Sequence, residues 1–245
     1  MTTAADDVAY ETQARAELAA WREKVLAEPG PFARAAKTLQ VRVNALIPET
    51  IHAAVTKVIE QMTRGILIGS DFATVARPTS GLSLREREER VRKAIDGYRN
   101  VASAEGGITG AGGFLMAAAD FPALIAIKIK LLFEIAALYG HDASQWRERL
   151  YILSIFQLAF SSADHRRDVF AQMTGGVQAA TPEDFDWRRF QQEYRDYIDL
   201  AKLAQLLPVV GAPIGAIVNW RLLEQLGTTA INAYRLRYFE LNNSR

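Results

Sequence analysis

Apolar residues recur at helical spacing along most of the chain. Phe32, Leu39, Val43 and Leu46 fall on one stripe, and Ile51, Val55, Ile59, Met62 and Ile66 on the next. Leu84, Val91, Ile95 and Tyr98 form a narrow stripe on a very polar segment. Phe190, Tyr194, Tyr197, Ile198 and Ala201 repeat the spacing later, as do Ile231, Tyr234, Tyr238 and Leu241. Steps of three and four residues put side chains on one face of a helix. No period-two alternation of strand length and no Asn-Gly hairpin turn interrupts them. The pattern predicts an all-α protein of roughly eight to eleven helices.

Two segments depart from this amphipathic pattern. Residues 106–122, GGITGAGGFLMAAADFP, concentrate small residues and then place one acid, Asp120, ahead of Pro122. Residues 206–220, LLPVVGAPIGAIVNW, are apolar and broken by Pro208 and Pro213. Both are read as Gly/Ala-rich helical hairpins, near 106–140 and 206–226, packed centrally. Gly107, Gly110 and Gly113 stand three apart, and Gly106 and Gly110 four apart. Glycine at that spacing lets helices approach closely. The reading is a glycine-rich turn entering a tightly packed helix. Neither segment reads as a transmembrane span. Ile108–Ile127 is diluted by glycine and carries an acid mid-span, where about 20 apolar residues are needed.

Connections are expected at 76–83 and 173–187, neither polar enough for an interdomain linker. The organisation is one helical domain, 31–245, with an N-terminal helical extension, 1–30.

Composition narrows the function classes. The chain has 245 residues, 49% hydrophobic and 23% charged, with a formal net charge of +1. That is globular composition with no electrostatic footprint for nucleic acid. Cysteine is absent, which excludes thiolate metal sites and cysteine nucleophiles and fits a reducing compartment. The acidic N-terminus lacks the charged and apolar regions of a signal peptide, so the expected location is cytoplasmic.

Candidate chemistry is sparse. In REREERVRK (85–93), Glu86–Arg90, Glu88–Arg92 and Glu89–Lys93 are acid-first i,i+4 pairs, read as a solvated helix face. The histidines are His52, His141 and His165. His141-Asp142 invites comparison with helical metal-dependent phosphohydrolases, but Gly140 is a natural helix stop. Asp142 is then read as the N-cap of a new helix, with Gln145 at capping-box distance. Asp164 and Asp168 stand at i,i+4, but Arg166 and Arg167 compete for them. No G-x-S-x-G elbow, P-loop or dinucleotide fingerprint is present. No catalytic residue, metal or cofactor is assigned. Four readings of Asp120 stand: a cap for the helix at Pro122, a partner for Arg221, Arg235 or Arg237, a polar group in a functional groove, or an exposed carboxylate. In the helix that follows, Lys128 and Lys130 border an apolar face, and Lys130 and Glu134 are i,i+4. This suits either an interfacial helix or a core helix with a wet edge.

Residues 106–142 resemble the EcsC family of bacterial proteins, in a glycine-rich segment, an Asp-x-Pro element (Asp120, Pro122) and a Tyr-Gly element (Tyr139, Gly140). Residues 206–240 resemble the family's C-terminal block at Gly211, Gly215, Asn219, Ala230 and Arg237. A weaker likeness covers 48–62, and the resemblance leaves out the first 30 residues and 173–190. It implies a helical protein associated with membranes, whose namesake is encoded beside an ABC transporter. No catalytic residue comes with it.

The expectation is a non-enzymatic protein, peripheral on the inner face of the cell membrane. It meets lipid, a lipid-like ligand or a membrane protein such as an ABC transporter, and no nucleic acid. The interface candidates are Gly106, Gly107, Gly110, Gly113, Asp120, Pro122, Tyr139, Gly140, Gly211, Gly215, Asn219 and Arg237. The alternative is a soluble helical hydrolase with a site at Asp120 and Asn219, or a metal at His141 and Asp142.

Overall fold

The computed structural model describes residues 4–28, 79–111, 121–175 and 211–243, together with Lys57. Six helices lie among them: α1 (Ala4–Leu26), α2 (Leu84–Ala111), α3 (Phe121–Tyr139), α4 (Trp146–Phe160), α5 (Ala163–Thr174) and α6 (Gly211–Asn243). No strand occurs among the described residues. The expected stripes at 32–66 and 190–201, and most of the 173–187 connection, lie outside them.

Local signals fix most ends. Ser83 and Glu86 form a capping box on α2: the Ser83 amide donates to Glu86 Oε2 at 2.9 Å, and the Glu86 amide to Ser83 Oγ at 3.3 Å. The 79–83 turn bends at Gly81, with φ +82°. α3 ends in a Schellman motif, in which Gly140 donates to Ala137 O and His141 to Ala136 O. Gly140 sits at φ +89°, and a Cβ there would collide with Thr79 Oγ1. Arg87 closes the same corner, donating to the carbonyls of Tyr139 (3.0 Å) and Thr79 (3.1 Å). Ser162 caps α5 by accepting from the His165 amide.

The α2–α6 pair is the spine, the most extensive helix contact described. The two helices run antiparallel. Glu88 meets Arg235, Ile95 meets Gly227, Arg99 meets Trp220, and Ala102 meets Asn219. A Cβ on Gly227 would come within 2.6 Å of Ile95 Cδ1 and 2.8 Å of its Cγ1, so glycine sets the helix separation there. α3 and α4 cover the spine, and α1 and α5 close the outside, where Trp21 meets Phe170 edge-on at 5.9 Å. The core runs through Leu84, Val91 and Ile95 of α2, most of α3 and α4, and α6 from Leu223 to Phe239.

Two expectations change here. Residues 106–111 form the last turns of α2, not a turn entering a helix. Extending an existing helix adds one hydrogen bond per residue without new nucleation, which offsets glycine's penalty of about 1 kcal/mol each. The hairpin expected over 206–226 has no turn from Gly211 onward, because α6 is one helix of 33 residues. Pro213 falls in its first turn, where a missing amide hydrogen is tolerated. The hairpin near 106–140 fares better: α2 and α3 pack against each other on either side of 112–120.

Candidate functional site

The two ends of the spine differ in chemistry. At the Glu88 end the polar groups are buried and saturated. Glu88 is fully buried and Arg235 nearly so. Arg235 donates Nε and Nη2 to the two Glu88 oxygens, both at 2.7 Å, and Nη1 to Glu17 at 2.8 Å. Tyr10 Oη donates to Glu88 at 2.7 Å and Tyr139 Oη at 3.1 Å, and Arg92 approaches at 3.4 Å. One carboxylate thus ties α1, α2, α3 and α6 together. Burial, then the Glu88 charge, pushes the Tyr139 phenol well up. Burial also works against the Arg235 cation, but its hydrogen bonds to Glu88, the Glu88 charge and its hydrogen bond to Glu17 outweigh burial and raise its pKa.

A second buried carboxylate, Glu148, sits one aromatic stack away. Tyr139 stacks on Tyr234 with centroids 5.0 Å apart, and Tyr234 Oη donates to Glu148 at 2.6 Å. Arg237 Nη1 donates to the other Glu148 oxygen at 2.5 Å and lays its guanidinium 3.3 Å from the Tyr151 ring. His141 stacks on Tyr234 at 5.2 Å, with Nδ1 3.8 Å from Glu148. Burial lowers the His141 pKa, against the pull of Glu148. Each carboxylate has its own arginine and at least one tyrosine, an arrangement that holds charge in place.

The opposite end of the spine is open. Val101 on α2 (52% exposed) and Ile217 (53%) and Trp220 (38%) on α6 each leave apolar surface exposed in this stretch of the spine. Arg99 lies 3.6 Å above the Trp220 ring and reaches Asp96 at 3.1 Å. Ser103, Ile217, Trp220 and Arg221 line a shallow cavity of about 390 Å³. The glycine-rich turns of α2 and the start of α6 occupy this end of the two helices.

The candidate residues divide between these regions. Tyr139, Gly140 and Arg237 converge at the buried polar end. Asn219 is buried near the open end, where it donates to Ala102 O at 3.5 Å. Gly106, Gly107 and Gly110 are helical in α2, and Gly211 and Gly215 in α6. Pro122 lies in the first turn of α3. Gly113 and Asp120 lie outside the described residues. Of the arginines considered for Asp120, Arg235 and Arg237 are already engaged by Glu88 and Glu148.

Three readings need correction. Asp142 is not a helix N-cap: Gln145 holds that position. Asp142 instead accepts from the Ser144 amide at 2.9 Å, an Asx turn that lowers its pKa. Glu88 is no part of a solvated face, because the stripe 84, 88, 91, 95 turns it inward. Lys128 is buried among apolar residues, not set at a wet edge, while Lys130 is exposed. Among the described residues, no group of three or more His, Asp or Glu side chains converges to hold a metal.

A family model described as the EcsC protein family matches residues 12–239. The chain belongs to the EcsC family. That match starts within α1 and runs through 173–190, so it is longer than the motif resemblance. Protein EcsC of Bacillus subtilis (strain 168) is 46% identical over 217 residues, covering 89% of this chain and 91% of that protein. Uncharacterized protein YdbA of the same organism is 25% identical over 219 residues, 80% of each chain. No solved structure matches significantly. Within this EcsC-family fold, Glu88, Glu148, Val101, Ile217 and Trp220 escaped the motif reading. Only Glu88 carried a sequence signal, its register on the α2 stripe.

Proposed function

We propose that this EcsC-family chain is a non-enzymatic helical protein that attaches peripherally to membranes through the open end of its α2–α6 spine. The observation that carries the reading is the exposure of Ile217 and Trp220, which line one shallow cavity with Arg221, while Arg99 lies over the Trp220 ring. Tryptophan with arginine at a surface suits the boundary between headgroups and acyl chains. No described helix is long and apolar enough to cross a bilayer, which favours attachment at the surface. The ABC-transporter partner that the family resemblance implies would meet the same end.

Flotation of the purified protein on vesicles of phosphatidylglycerol and phosphatidylethanolamine tests this. Wild type is expected to float at both low and high salt, and Ile217→Ser/Trp220→Ala to stay at the bottom. Failure of wild type to float, or equal flotation of the variant, rejects attachment through this end.

A further inference from the structure

α1 is attached to the body formed by α2–α6 along one narrow seam. The seam runs through Asp7, Glu11, Ala14, Leu18, Trp21 and Val25, in steps of four and three, with Tyr10 beside it. Every other side chain from Ala4 to Leu26 is exposed. α1 buries three of its 23 residues, Ala14, Leu18 and Val25, against eleven of 15 in α4. The N-terminal half of the seam is polar. Tyr10 donates to Glu88 at 2.7 Å, and Tyr238 donates to Glu11 at 2.9 Å. Asp7 Oδ1 is buried there with no hydrogen-bond partner among the described residues, which works against docking.

The groups beneath α1 keep their principal partners without it. Arg235 retains both bonds to the Glu88 oxygens, and Tyr139 retains its own bond to that carboxylate. Lifting α1 admits water to the same edge, where it takes the places of the Tyr10 hydroxyl and the Glu17 carboxylate. Glu17 is already 44% exposed while paired with Arg235. A helix with little buried apolar area and contacts that water can replace belongs to the low-stability end of a fold.

We propose that α1 is a clasp that opens as a unit while α2–α6 stay folded, uncovering the Arg235 edge with the Phe170 and Phe239 rings. Both rings are buried with α1 in place. Arg15 lies 4.0 Å over Phe239, and Trp21 packs edge-on against Phe170. The clasp sits at the end of the spine away from Trp220, and it is independent of membrane attachment.

The chain has no cysteine, so a single introduced thiol reports opening. Ala14→Cys places it on the α1 seam and Ala159→Cys in α4, both at buried positions. Labelling of the full chain with dithionitrobenzoate, in a series of low guanidinium concentrations, gives an opening constant at each thiol. The constant at Ala14→Cys is expected to exceed that at Ala159→Cys by about a hundredfold or more. Its slope on guanidinium is expected to be shallower, because opening the clasp exposes less surface than unfolding. Adding Glu17→Gln to Ala14→Cys is expected to raise labelling by about threefold. Hydrogen exchange of the unaltered chain reads the same opening should a variant not fold. Amides of 12–25 are expected to exchange about a hundredfold or more faster than those of 125–138. Equal opening constants and slopes at the two thiols, or α1 amides that exchange only together with the core, overturn the clasp.

Discussion

The α2–α6 spine carries two regions built on opposite principles. At the Glu88–Arg235 end, charge is buried and every group engages another, so removing any one leaves its partner stranded. At the Val101–Trp220 end, apolar surface is left in water, and little in the fold depends on it. The first region is costly to disturb and gives a solution ligand nothing to bind. The second is cheap to disturb and presents a surface. The proposed membrane attachment uses the second.

Stability measurements break this contrast most sharply at Arg235. Arg235→Met strands Glu88 without its bidentate partner and is expected to destabilise by about 3–5 kcal/mol in denaturant unfolding. The double variant Glu88→Leu/Arg235→Met is expected to recover much of that loss. If Arg235→Met alone shifts stability by less than about 1 kcal/mol, the core is wetter than described.

Gly140→Ala and Gly227→Ala come next, for different reasons. Gly140 needs positive φ, a penalty of roughly 1–2 kcal/mol for alanine, and alanine also meets Thr79. Gly227→Ala presses Ile95, an overpacking cost of about 1–3 kcal/mol. Gly227→Ala/Ile95→Val is expected to restore part of it, whereas nothing on α2 rescues Gly140→Ala. Equal Tm values for Gly227→Ala and wild type contradict the close α2–α6 approach.

Much of this fold was legible in the sequence, because helices announce themselves through spacing. The stripe at Leu84, Val91, Ile95 and Tyr98 faces inward as read. Glu88 was hidden because its i,i+4 spacing to Arg92 explains it equally well on a solvated face. Only a partner 147 residues away shows which way it turns. Arg235 and Arg237 engage Glu88 and Glu148, acids not set beside them in the sequence reading, since sequence alone does not pair distant charges. Asp142 matched capping-box spacing, but the Asx turn at Ser144 delays the helix by a full turn. Gly140 was legible, as a glycine after an apolar helix, and Gly227 was not, because its need is set by Ile95 across the interface. Trp220 carries no periodic signal of exposure, so the open end emerged only from the packing.

At the open end, Ile217→Ser/Trp220→Ala is expected to cost about 1–2 kcal/mol, the share of the half-buried Trp220 ring and its Arg99 contact. A larger loss makes the patch part of the core.

The smallest effect concerns pH. Burial depresses His141 in the folded state below its unfolded value. Its contribution is therefore present above about pH 6.5 and lost as pH falls through the folded pKa. Unfolding free energy is expected to decline below pH 6.5 more steeply in wild type than in His141→Phe, which keeps the stack on Tyr234 without a titrating group. Identical slopes remove His141 from the account.

Hydrogen–deuterium exchange with and without anionic vesicles compares the two ends in one experiment. The account predicts added protection in residues 99–111 and 211–221, and none in 84–92, 139–151 or 233–237. Protection confined to the Glu88 and Glu148 segments, or no change anywhere while the protein floats, would contradict it.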